Sequence, residues 1–162
     1  VAGGVGLRCE GTPGPVQEAD SVSSNYGDAA AGLVTVLKNG ISGLHGFDHP
    51  THSVQGFPAA IVLPEPVDTE IAFGGNSFTG SFRIVFLVSS ADSAEGFAKL
   101  YDHIDTVAVN TSVVRAVRAD PTLNGKVDSS DVTRIENIGQ RSLWGVDYYG
   151  FDAIVTFVKS VT

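Results

Sequence analysis

Two stretches of alternating apolar residues, "SFTGSFRIVFLVSS" at 77–90 and "FDAIVTFVKSV" at 151–161, constrain this chain more than anything else in it. Successive side chains of an extended strand point to opposite faces. In the first stretch Phe78, Phe82, Ile84 and Phe86 fall on one face, with Val85, Leu87 and Ser89 on the other. In the second, Phe151, Ala153, Val155 and Phe157 share a face, opposite Asp152, Ile154, Thr156 and Val158. Two such strands demand a sheet with one strongly apolar face. The apolar residues on the reverse of 77–90 predict cover on that side as well.

The chain supplies helices to cover such a sheet. In "DAAAGLVTVLKNGISGL" Asp28 is a candidate N-cap, and Leu33, Val36, Leu37, Ile41 and Leu44 recur at helical spacing. "SADSAEGFAKLYDHID" predicts a second helix with Phe97, Leu100, Tyr101 and Ile104 on one side. "TSVVRAVRAD" predicts a short third one that Pro121 stops, because a proline pushes its predecessor out of the helical region. A further strand is expected over 58–63, ended by Pro64 and Pro66, then an extended stretch near 67–73 and a turn at Gly74-Gly75-Asn76. Two closing strands, at 132–144 and 149–161, flank "GVDYYG". The residues between the first helix and 58 read as a turn-rich connector.

The expected class is α+β: a mainly antiparallel sheet with two to three helices packed on one face, plus an extended N-terminal arm. The arm is the Gly/Pro-rich segment 1–28, which has neither a period of two nor one of 3.6, and 29–162 forms a single domain. At 162 residues there is room for one core. No repeat of 20 to 50 residues runs along the sequence.

Ten basic against eighteen acidic side chains give a net charge of -8, which argues against a dedicated nucleic-acid binder. The single cysteine, Cys9, has no partner in the chain for a disulfide and reads as an inert thiol. No apolar run is long enough to cross a bilayer, and the opening residues lack the basic start and apolar segment of a secretory signal.

"DPTLNGKVDSSD" at 120–131 looks like a calcium loop. Asp120, Asn124, Gly125, Asp128 and Asp131 fit the required slots, with glycine at the sharp sixth position. Thr122 is a weak neutral ligand, however, Pro121 and Leu123 resist wrapping an ion, and Asp131 is shorter than the usual glutamate. A second account needs no metal: Asp-Pro ends a helix, Asn-Gly turns, and Lys126 onward begins an extended segment. His45, His49 and His52, near Asp48, have permissive zinc spacing but no rigid element to present them, and they read as loop histidines. His103 is expected on the second helix, partly exposed.

The Gly-rich runs lack the Lys-Ser/Thr of a phosphate loop, and no nucleophile elbow or metalloprotease motif occurs. Acid pairs such as Glu65 with Asp68 or Asp147 with Asp152 are expected to be solvated. The residues therefore assign no catalytic site and no cofactor, and the chain is not expected to be an enzyme. Around "SLWGVDYYGFD", Trp144, Tyr148 and Tyr149 either cap a core or anchor an interface. With Phe78 on the long strand and Arg8 in the arm, they are the candidate interface residues.

Three runs in order, "PAAIVLP" at 58–64, "ADPTLNGKV" at 119–127 and "GVDYYGFDAIVTFV" at 145–158, make the chain resemble the tail terminator proteins of long-tailed, siphovirus-type phages of actinobacteria. The resemblance spans about 28–160. It implies a structural virion protein that assembles in the bacterial host cytoplasm and forms a ring, usually a hexamer, at the head-proximal end of the tail tube. Such a ring stops tube polymerisation and docks the neck. The implied partners are further copies of the chain, the major tail tube protein and the head–tail connector proteins, with no membrane. Genomic DNA would pass the lumen without specific binding, and the arm would lie on an adjacent subunit or on the tube. In the family the Asp-Pro-Thr-Leu-x-Gly run is a helix-ending turn. A stopper or head-completion protein of the same neck is the alternative, and a calcium module built on 120–131 is the competitor from another class.

Overall fold

A computed structural model of the protein describes residues 25–66, 77–91 and 94–160. Its elements are α1 (Asn25–Gly40), β1 (His45–Phe47), β2 (Ala59–Pro64), β3 (Ser77–Ser90), α2 (Ala94–Ile104), α3 (Val113–Ala119), β4 (Ser129–Leu143) and β5 (Val146–Ser160). The strands form one sheet in the order β1-β2-β3-β5-β4. All neighbours are antiparallel except β1 with β2, which run parallel. The fold is α+β, with three helices among the described residues.

The alternation in the two long strands sets the core. Phe82, Ile84 and Phe86 of β3 and Phe151, Ala153, Val155 and Phe157 of β5 are all buried on one sheet face. Phe86 stacks on its register partner Phe151 at 4.9 Å, and Phe82 stacks on Phe157 at 5.2 Å. Such cross-strand aromatic pairs add directional stabilisation to simple burial. Leu33, Val36 and Leu37 from α1, Ile41 just after it, Leu100 from α2, and Val113, Val114 and Val117 from α3 close over this face. These three helices all pack on the same side of the sheet.

The reverse face is smaller and is covered by a connector. Ala59, Ile61, Val85, Leu87 and Tyr148 form a second apolar cluster, against which Phe47 and Val54 pack. Phe47 comes from the three-residue edge strand β1, which pairs with β2. The sequence predicts only a connector there, because three residues are too few to display a period of two.

Four local expectations change. The first helix starts at Asn25, so Asp28 sits inside its first turn, where its negative charge faces the positive end of the helix dipole, and is not the N-cap residue. Helix α2 buries Gly96, Leu100 and His103, while Phe97 and Tyr101 face outward. Gly96 is the reason: a Cβ there would run into Ser89 Oγ, so the glycine lets the helix lie against β3 on that stripe. His103 is accordingly buried, not partly exposed. The closing hairpin turns at Trp144-Gly145, not across "GVDYYG", whose remaining residues continue as strand. The extended stretch near 67–73, the turn at 74–76 and segment 1–24 with Arg8 and Cys9 lie outside the described residues.

Candidate functional site

The calcium-like loop spends its oxygens on the chain. Ser112 caps α3 by accepting the Arg115 N–H, and the helix ends at Asp120 before Pro121. Asp120 accepts the Thr122 hydroxyl at 2.6 Å and the Asn124 N–H at 3.2 Å. Leu123, Asn124 and Gly125 all take positive φ, and Leu123 is fully buried at the centre of the turn. Asp128 accepts both the backbone N–H and the hydroxyl of Ser160. Asp131 accepts from Arg118 Nε at 2.9 Å, and the guanidinium holds its carboxyl below the usual range. The three candidate carboxylates thus serve as turn, strand and helix anchors, and Asn124 enters the turn through its backbone N–H. Gly32 of α1 presses on the Leu123 carbonyl, so this turn is also the seat of the first helix.

His49 pairs with its neighbour Asp48 at 2.9 Å on the surface, while His45 lies on β1 beside Gly56. No group of three or more His, Cys, Asp or Glu side chains that could hold a metal ion occurs among the described residues.

The reverse face of the sheet carries a charge network that sequence reasoning missed. Asp152 is 2% exposed, not solvated, and it accepts from Arg83 Nη1 at 2.7 Å, from Asn137 Nδ2 at 2.8 Å and from Arg141 Nη1. Arg83 also donates from Nε and Nη2 to Glu65 at 3.0 and 3.1 Å, and from Nη1 to Glu136 at 2.9 Å. These bonds, that to Glu65 foremost, raise the affinity of the guanidinium for its proton. Glu136 accepts in turn from Arg134. The network joins the end of β2 to β3, β5 and β4. Its one signal in the sequence is an acid at an inward position of an apolar strand, which has to be paired if it stays charged.

Of the candidate interface residues, Tyr148 is buried in the reverse-face cluster and Tyr149 packs on the main core, edge-on to Phe97 at 5.4 Å. Both are core caps. Phe78 lies in β3 opposite Lys159, and its side chain lies outside the description. Trp144 is different. It is 40% exposed at the hairpin tip, edge-on to Tyr148, with φ +54, in the left-handed region that bulky residues avoid. Gly145 follows with φ +77, completing the paired positive values of a tight hairpin turn. Beside the indole, Ile61, Leu63, Val85 and Leu143 line a shallow apolar groove of about 190 Å³, with Pro50 and Thr51 at its rim.

No protein-family model matches the sequence, and no curated protein matches it either. Val146 and Ile138 extend the exposed apolar area of the β4–β5 hairpin. On the helical side Phe97, Tyr101, Val107 and Val109 are exposed, Val107 by 68%. These residues sit on α2 and on the segment that follows it, whose path is fixed by Arg115 donating to the Val107 carbonyl and Thr111 donating to the Asp102 carbonyl. The chain therefore holds apolar side chains out in water on two ordered surfaces. The described residues include no helix long and apolar enough to cross a membrane.

Proposed function

We propose that the protein is a ring-forming virion subunit of the tail-terminator type, which ends the phage tail tube at its head-proximal side and joins it to the neck. The ordered runs at 58–64, 119–127 and 145–158 carry this reading. Each corresponds to a feature the fold depends on: β2 between its prolines, the turn that buries Leu123, and the hairpin leading into the central strand β5.

The exposed surface supports an assembly role. A closed ring needs two different patches on one chain that meet on neighbouring copies. The hairpin tip with Trp144 and Val146, and the α2 side with Phe97 and Tyr101, supply two separate apolar surfaces. A tryptophan held at positive φ costs about 1–2 kcal/mol that asparagine or glycine would largely avoid. The hairpin turn requires positive φ at this position whatever the residue, so the choice of tryptophan over asparagine adds an exposed aromatic surface at the cost of backbone strain.

Native mass spectrometry of the purified chain, with and without tail tubes, tests the proposal. A mass six times that of the 16.9 kDa chain, alone or on tube ends, is the expected result. Phage lacking the protein should build tails of uncontrolled length. Normal tails together with filled heads that leak DNA would replace the terminator by a stopper, and a chain that stays monomeric and ignores tubes would overturn both.

A further inference from the structure

The chain contains two Asn-Gly dipeptides, at 39–40 and 124–125, and the fold treats them in opposite ways. Asn39-Gly40 closes α1, where the glycine backbone lies against Ala116 so tightly that a Cβ would collide with it. Asn124-Gly125 is exposed in the turn after α3, and a Cβ on Gly125 would meet nothing within 4 Å. Both of its residues have positive φ, 60° and 80°, outside any helix or strand.

We propose that Asn124-Gly125 is a self-modification site at which the Asn124 side chain is converted to aspartate and isoaspartate, with water as the only co-reactant. The backbone nitrogen of Gly125 attacks Cγ of Asn124, the new N–Cγ bond forms, and the Cγ–Nδ2 bond breaks. Ammonia leaves carrying the former amide proton, and a five-membered imide remains. Water then opens the imide at either carbonyl, giving aspartate or a backbone lengthened by one methylene. No electron is gained or lost. Glycine is the residue that permits this, because a side chain at the attacking position would crowd the ring closure.

The neighbourhood sets the rate. Gly125 N–H donates to Thr122 Oγ1 at 3.1 Å, and Thr122 in turn donates to Asp120. This bond to an exposed hydroxyl holds the nucleophile away from Cγ, and around it the Asn124 N–H donates to Asp120 while the Lys126 and Val127 N–H groups donate to the Thr122 carbonyl. At Gly40, by contrast, the last turn of α1 and the contact with Ala116 must both open before the nitrogen can swing toward its asparagine. Solvent-exposed turn hydrogen bonds open more readily than helix ends packed against a neighbouring element.

The product reports on the fold. Leu123, beside the reacting pair, is fully buried, and its carbonyl is the surface on which Gly32 rests. An extra backbone atom at 124 shifts that anchor, whereas plain aspartate at 124 adds only charge next to Asp120.

The test incubates the folded chain at mildly alkaline pH and follows the peptides containing 39 and 124 by mass, with isoaspartyl methyltransferase labelling to separate the two products. Position 124 should gain mass about tenfold faster than position 39, equivalent to about 1.4 kcal/mol of additional local opening at the helix end. Thr122→Val should accelerate the reaction at 124 alone, and Asn124→Asp should remain unlabelled at the start of incubation. Equal rates at the two positions in the folded chain, or modification at 124 only after unfolding in denaturant, would overturn the proposal.

Discussion

Arg83 Nη1 and Asp152 Oδ2 lie 2.7 Å apart on the sheet face away from the helices, at the meeting point of three strands. Asp152 is almost completely enclosed, while Arg83 keeps about a quarter of its side chain in water. The pair anchors an arrangement in which Glu65, Glu136, Asn137 and Arg141 complete the hydrogen bonding.

Breaking that arrangement at its buried member should be costly. Removing one partner of a buried pair typically costs about 3–5 kcal/mol, and partial solvent access at Arg83 lowers the expectation for Asp152→Ala to about 2–3 kcal/mol. Urea denaturation reads the change as a lower midpoint. A variant within about 0.5 kcal/mol of the parent would show the network to be ornamental.

His103 gives the fold a defined pH response. Its ring lies 4.9 Å from that of Phe86, its Nδ1 donates to the Thr111 carbonyl at 2.8 Å, and burial holds its pKa below the ordinary value. The nearby charges of Asp102 and Lys99 act in opposite directions on it. The unfolded chain therefore binds a proton at higher pH than the folded one. This contribution to stability is complete above the unfolded value of 6.5 and is lost as pH falls from there through the folded pKa. His103→Asn, which can keep the donor to Thr111, should flatten that part of the stability profile; an unchanged slope would assign it to other groups.

Calcium should leave the melting temperature where it is, and so should a chelator. Asp120, Asp128 and Asp131 already accept from Thr122, Ser160 and Arg118. A saturable rise in melting temperature with calcium, abolished in Asp131→Ala, would mean that these contacts yield to an ion.

Gly32→Ala is expected to destabilise by about 1–3 kcal/mol, as overpacking does when the obstacle is rigid. The added methyl would meet the Leu123 carbonyl, a backbone atom that cannot rotate aside. Thermal melts that differ by no more than the error of the measurement would place slack between α1 and the turn.

Trp144→Asn separates folding from assembly. Asparagine accepts φ near +54° more readily than tryptophan does, and Asn-Gly is the favoured pair for this turn. The monomer should keep or slightly gain stability while ring formation, read by native mass, declines. Unaltered assembly would remove Trp144 from the proposed contact.

The alternation of β3 and β5 was legible because a strand buried on a sheet face leaves a period of two that no neighbour can disguise. Helix α3 was legible for a similar reason: its stop before Pro121 is a local signal, while its cap at Ser112 was found only in the structure. Local chemistry likewise suggested that 120–131 is a turn. Position in space was not legible. Phe97 and Tyr101 share helical spacing with Leu100, yet only Gly96 and the side chain of Ser89 decide which stripe of α2 meets the sheet. Asp152 reads as a solvated strand residue until Arg83, 69 positions away, and Arg141 are brought across the sheet to it.

The sequence by itself determined the class of fold, the long strands and the stop of α3 before Pro121, since these follow from backbone chemistry and periodicity within a few residues. Only the tertiary structure decided which apolar side chains remain in water and which charges are buried. Those outcomes depend on contacts between residues far apart in the chain, and a side chain's pattern along one element is the same whether its face meets a sheet or solvent.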